Sequence, residues 1–247
     1  MKEIVLEIEY GGLGDNLFYS ALPRLIKNNK IADHVYISNK SKFRNSDIKK
    51  LIWVNNPFID GFSESCATHP KGHKKSSINK ITNMIAAMYG IIVNYEIEPY
   101  ISDDFEVIKE YSNCTFLDLN YSSYVGAITI LDKLLIAYRH SGAILINPNF
   151  ILNLLTPNKK IKTTSLYHYA QIIKSCKSFI CLASGGATLA AALNKKSCVY
   201  YGYGQSSIFH HASNQYIMIG AKNFYRKLIA LMFGYRNYII REIFNIK

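Results

Sequence analysis

Hydrophobic and polar residues follow two patterns along this chain. Short, nearly unbroken apolar runs alternate with stretches whose apolar residues return every three or four positions. The first pattern predicts strands buried on both faces; the second predicts amphipathic helices packed on them. Ile4 to Ile8 reads as a buried strand. The stretch "EYGGLGDNLFYSALPRLIK" follows, in which Leu17, Ala21 and Leu25 give helical spacing to about Lys27. "HVYIS" (34–38) reads as a second strand. Strand, glycine turn, helix and strand in that order make a βαβ unit with a parallel sheet.

Residues 41–75 carry a weaker pattern. "NNPFIDGF" is rich in turn formers, and "THPKGHKKSS" reads as a basic, polar loop. A helix is predicted over Ile78–Tyr89, and "NYEIEPYISDD" (94–104) reads as a connection with an edge strand. Beyond it the alternation resumes. "CTFLDL" (114–119), "AILINP" (143–148), "SFICLA" (178–183) and "SCVYYG" (197–202) are strand-like. "SLYHYAQIIKSC" (165–176) has helical spacing with Thr164 or Ser165 as its N-cap, and "SGGATLAAAL" (184–193) is a helix that opens on glycines. The predicted organisation is α/β: a Rossmann-like half over 1–108, a second over 109–221, and a terminal helical segment over 222–247.

Composition narrows the classes without choosing among them. The chain has 247 residues, 49% of them hydrophobic and 19% charged, enough to bury a sizeable core. Its net charge of +12 suits phosphates, nucleotides or anionic headgroups. Nucleic-acid binding would call for a recognition module, and none is evident. Five cysteines with no CxxC pair read as free thiols of a cytoplasmic protein. The start, "MKEIVLEIEY", has no signal-peptide pattern, and no apolar run approaches the roughly 20 residues of a spanning helix.

The candidate chemistry lies in two glycine turns, each after a strand. In the first, Gly11, Gly12 and Gly14 let the backbone turn tightly and approach a ligand, and Asp15 stands at the start of the helix with Asn16 beside it. A dinucleotide site would need a third glycine where Leu17 stands, and an acidic residue after the second strand, where "YISNKSK" is basic. Asp15 instead suits proton acceptance from a substrate hydroxyl, or plain N-capping. In the second turn, Ser184, Gly185, Gly186, Ala187 and Thr188 place small residues and free N–H groups at a helix start. That is either an anion cradle or a tight turn without a ligand. Gly202 and Tyr203 end the next strand on the same side.

These two stretches, "GGLGDNLFYSALPRL" and "TTSLYHYAQIIKSCKSFICLASGGATLAAALNKKSCVYYGYG", resemble the heptosyltransferase-type glycosyltransferases of family 9. The resemblance implies a GT-B fold, two Rossmann-like domains facing across a cleft. It also implies an inverting transfer of sugar from a nucleotide-sugar donor, without metal or other cofactor, to a capsule or lipooligosaccharide acceptor that is a glycan or glycolipid. Asp15 maps onto the family's catalytic base, and Ser184 to Thr188, with Gly202 and Tyr203, onto its donor side. The family's Asp-Ser-Gly-x-x-His motif reads here with Ala183 in the Asp place and Thr188 in the His place. Its usual proline, six residues after the base, falls on Ala21, with Pro23 two positions on. A non-catalytic nucleotide-sugar-binding protein of the same fold is the alternative.

Of the remaining groups, His69 and His73 are interrupted by Pro70 and Gly72, which argues against a helical metal pair. His210 and His211 follow "YGYGQSS" towards the cleft, where they could meet a donor. The segment "KNFYRKLIALMFGYRNYIIREIFNIK" mixes basic and apolar residues. It suits either an anionic inner-membrane surface or packing back on the first half.

Overall fold

The computed structural model describes residues 2–68, 74–102, 105–122 and 124–219. Both the expected segment over 222–247 and the His69–His73 part of the basic loop lie outside the described residues. In chain order the elements are β1 (Glu3–Leu6), α1 (Leu13–Tyr19), α2 (Leu22–Asn28), β2 (His34–Ser38), α3 (Ser46–Lys49), β3 (Gly61–Ser63) and α4 (Ile81–Met88). Then follow β4 (Thr115–Asp118), α5 (Ile130–Arg139), β5 (Ile144–Ile146), α6 (Phe150–Leu155), β6 (Lys160–Ile161), α7 (Leu166–Ser175), β7 (Ser178–Leu182), α8 (Gly185–Ala192), β8 (Ser197–Gly202) and β9 (Gln215–Ile219).

The strands form two parallel sheets, of order β1-β2-β3 and β6-β5-β4-β7-β8-β9. The α/β expectation of two parallel sheets holds. A parallel sheet puts all its strand-to-helix turns at one edge, so both glycine turns stand at the carboxyl ends of their sheets.

The helix expected from the first glycines to Lys27 is two helices. Pro23 sits in the first turn of α2, where a missing N–H costs nothing, and Ser20 ends α1 with its hydroxyl on the Leu17 carbonyl at 2.7 Å. Ser165 caps α7, accepting from the His168 N–H at 3.0 Å. No strand forms in the described residues of 94–104. That stretch is fixed by side chains instead: Thr82 Oγ1 donates to the Ile97 carbonyl at 2.7 Å, and the Ile97 N–H donates to Asn83 Oδ1 at 3.0 Å. The Tyr100 N–H donates to Ser20 Oγ at 2.8 Å.

One apolar core runs through both halves, from Ile4, Ile37 and Trp53 to Ile172, Phe179 and Leu189 on the α7 and α8 face of the second sheet. A smaller cluster, with Leu117, Ile136, Leu145 and Leu152, lies under α5 and α6 on the opposite face. A further link between the halves joins the 96–98 stretch to the loop before β9. The Ala212 N–H donates to Glu96 Oε1 at 2.8 Å, and the Ser213 N–H to Glu98 Oε1 at 3.2 Å. Lys80 lies 3.2 Å from Glu96 Oε2 and also donates to the His210 carbonyl, while His211 Nδ1 lies 3.2 Å from Glu98 Oε2. Among the described residues no helix is long and apolar enough to cross a membrane.

Candidate active site: two glycine turns in contact

The first turn is pinned by the loop that follows β2. The Arg44 N–H donates to the Gly11 carbonyl at 2.8 Å, and a Cβ on Gly11 would stand 3.0 Å from the Arg44 nitrogen, so the 42–44 loop lies flat against the turn. Gly12 caps α1, and its N–H donates to Asp15 Oδ2 at 3.1 Å. A Cβ on Gly12 would come within 2.6 Å of that oxygen, so glycine is what lets the carboxylate fold back over the helix start. Asn16 is fully buried: its Nδ2 donates to the Gly12 carbonyl at 3.0 Å and its Oδ1 accepts from the Trp53 indole at 2.9 Å. It braces the turn from inside.

Asp15 is half-buried. Burial pushes its carboxyl above the ordinary range, and the Gly12 N–H and the Arg44 guanidinium pull back against that rise. Gly12, and not Asp15, is the N-cap; Asp15 stands third in the helix and accepts from the Gly12 N–H, and since a carboxylate has about four lone-pair sites one N–H does not exhaust them. Arg44 is the residue that sequence reasoning missed. Its Nη2 lies 3.8 Å from the Cβ position of Gly12, and its Nη1 donates to Ser122 of the other half. A single arginine in a chain of 29 basic residues gives no signal of its own in sequence.

The second turn meets the first directly. A Cβ on Gly185 would lie 3.0 Å from Leu13 Cβ and 3.1 Å from the Gly14 nitrogen. From the other side, a Cβ on Gly14 would lie 3.5 Å from Gly185 Cα and 3.7 Å from Thr188 Oγ1. The amino-terminal turns of α1 and α8 therefore pack against each other. Ser184 and Gly185 stay partly open, while Gly186, Ala187 and Thr188 are buried. Gly186 backs onto a buried pair, where Tyr169 donates its phenol hydrogen to Asp118 Oδ2 at 2.5 Å and a side chain on Gly186 would strike that hydroxyl. Burial holds the Asp118 carboxyl above its usual range, against the pull of Tyr169 and of the Asn120 N–H and amide at 2.9 and 2.8 Å.

Gly202 touches a third segment: its N–H donates to the Val125 carbonyl at 2.9 Å, and any Cβ there would strike Ala127. Tyr203 is exposed, and its carbonyl accepts from the Tyr124 hydroxyl at 3.2 Å. His210 and His211 are buried. His210 stacks on Tyr216 at 3.8 Å, and burial first, then Lys80 and His211, push its pKa down to about 4. Both rings are built into the core rather than the turns' open side. Glu96, Glu98 and His211 offer metal-ligand atoms within 4.8 Å of one another, but the Lys80 ammonium already supplies the cation beside Glu96.

No family model and no curated protein matches this sequence. Solved structures do match. A glycosyl transferase of family 9 from Veillonella parvula aligns with a TM-score of 0.59 at 12% identity, over 88% of this chain and 85% of that one. The iron-containing dodecameric heptosyltransferase TibC, solved with ADP-D-beta-D-heptose, gives 0.59 at 13% identity; 89% of this chain covers 63% of that one. The ADP-heptose LPS heptosyltransferase II of E. coli gives 0.57 at 12% identity, over 88% and 90% of the two chains. This chain has the two-sheet GT-B-like fold of those glycosyltransferases.

Proposed function

We propose that the protein is a glycosyltransferase that moves a sugar from a nucleotide-sugar donor to a glycan or glycolipid acceptor. The observation that carries this reading is the meeting of the two glycine turns, with a carboxylate on one and the open start of an eight-residue helix on the other. The likeness in fold to a heptosyltransferase solved with ADP-D-beta-D-heptose supports it.

Asp15 takes the proton of the acceptor hydroxyl. Its raised pKa makes the carboxylate a stronger base than a free one. The acceptor oxygen then attacks the anomeric carbon from the face opposite the leaving nucleoside diphosphate, so one displacement inverts the configuration. Negative charge grows on the bridging phosphate oxygen as the bond breaks. The Gly185 N–H and the positive end of α8 face that charge, the Ser184 N–H being taken by the Leu182 carbonyl at 2.7 Å, and Arg44 stands beside the first turn. The first half holds the acceptor and the second half the donor. Surface-polysaccharide assembly on the cytoplasmic side of a membrane is the setting this reading favours.

A second reading rests on a specific observation. Ala183 and Thr188 stand where the family motif has its Asp and His, and Leu13 and Tyr169 occupy the space beside Gly185 and Gly186. Those changes favour a protein that binds a nucleotide-sugar without turning it over. A thermal-shift screen of ADP-, UDP- and GDP-sugars tests both readings. A ligand at about 100 times its dissociation constant adds about 2.7 kcal/mol to the folded state. Stabilisation with release of nucleoside diphosphate supports the transferase, stabilisation alone supports the binder, and no response to any nucleotide-sugar removes both.

A further inference from the structure

The helices α5 and α6 present an apolar surface that the fold leaves uncovered. On α5, Leu131 and Leu135 are each 64% exposed and Tyr138 is 57% exposed, and their spacing of four and three puts them on one stripe. On α6, Phe150 is 78%, Leu154 67% and Leu155 48% exposed. The two sets adjoin, because Tyr138 donates its hydroxyl to the Leu155 carbonyl at 2.8 Å. Six large apolar side chains facing water in one place are unlike the scattered exposure of an ordinary surface.

Charge around this face has one sign. Between Leu119 and Thr164, the stretch that carries α5 and α6, the sequence has five Lys and Arg residues and a single acidic residue, Asp132. Asp132 is buried in the cap of α5, where the Thr129 N–H donates to it at 2.9 Å. Arg139, at the end of α5, and Lys159, Lys160 and Lys162, just past α6, are exposed. Lys160 and Lys162 also line an open groove with Asn147 and Asn153 beside α6.

We propose that this face docks on an anionic lipid bilayer: the apolar side chains of α5 and α6 enter the headgroup boundary, and the lysines beside α6 meet lipid phosphates. A second copy of the chain fits less well. A two-fold pair would bring this basic rim against itself, with no exposed carboxylate in the region to answer it. The inference stands apart from the glycosyl-transfer reading, since it uses none of the residues of the glycine turns.

The test is co-sedimentation of the full chain with vesicles of phosphatidylcholine and phosphatidylglycerol mixed about two to one, beside vesicles of phosphatidylcholine alone. The chain is expected to bind the anionic vesicles, weaken with added salt, and bind the neutral ones poorly. L135N/F150N/L154N and, separately, K159Q/K162Q are expected to lose about tenfold or more in partitioning while keeping circular dichroism and Tm, because every altered side chain is exposed. Absence of binding by the wild type overturns the proposal. So does triple-variant binding as tight as the wild type, which would place the contact elsewhere in the chain. Sedimentation equilibrium showing a dimer that the triple variant dissolves overturns it too, by assigning the face to self-association.

Discussion

Asp15 is pulled in two directions. Burial favours its neutral form, while the Gly12 N–H and Arg44 favour the ionised one, and burial wins. A carboxyl whose folded pKa lies above its unfolded value contributes stability at low pH and loses that contribution as pH rises through the folded pKa. Asp15→Asn removes a group whose charged form the fold disfavours, and its amide oxygen still accepts from Gly12, so it is expected to change stability by less than about 1 kcal/mol. That makes it a clean probe of chemistry. Tyr169 is the opposite kind of residue. Its hydroxyl serves a fully buried carboxyl, so Tyr169→Phe leaves Asp118 Oδ2 without that donor and is expected to cost about 1–3 kcal/mol in urea unfolding. Stability equal to wild type would show that Asp118 does not depend on the phenol. Asp15 and the glycines were legible in sequence because a strand, a turn and a helix announce them. Asp118 and Tyr169 were not: 51 residues separate them, and only the pairing of β4 with β7 brings their elements together.

At the scale of elements, the contact of α1 with α8 depends unequally on its two glycines. A methyl on Gly185 would press on Leu13 Cβ and the Gly14 backbone at 3.0 and 3.1 Å, tighter than ordinary contact, so Gly185→Ala has to move one helix. A methyl on Gly14 meets nothing closer than 3.5 Å and gains helix propensity. Gly185→Ala is expected to lose about 1–3 kcal/mol and Gly14→Ala to lose less than about 1 kcal/mol, read from paired denaturation curves. Equal losses would mean that the helices are not set by this approach. The strands and helices that flank the glycines were readable from their unbroken or periodic apolar runs. The helix over 130–139 was not, because Leu131 and Leu135 face water and blur the stripe that marks its buried side. β3, β6 and β9 escaped for a different reason: the first two have three and two residues, and β9 is an edge strand with no fully buried position.

Across the whole molecule, the two halves are tied by charge as well as by the shared core. Lys80, Glu96 and Glu98 of the first half face His210, His211 and the 212–213 backbone of the second. Burial alone would raise the Glu98 carboxyl; the His211 imidazole and the Ser213 N–H outweigh it and hold its pKa below the ordinary value. A depressed folded pKa contributes stability above the unfolded value of about 4.3 that is lost as pH falls through the folded one. Wild-type Tm is therefore expected to fall below about pH 4.3, and Glu98→Gln to lie lower than wild type at neutral pH and converge with it in acid. A constant gap at every pH would deny the Glu98 carboxylate its part. The most direct measurement of the central claim is nucleoside diphosphate release by wild type and Asp15→Asn, using the nucleotide-sugar that stabilises the fold. Loss of turnover by about 10²–10⁴-fold with donor affinity unchanged is the expected result; an Asp15→Asn protein that turns over at the wild-type rate would contradict the assignment of Asp15 as the base.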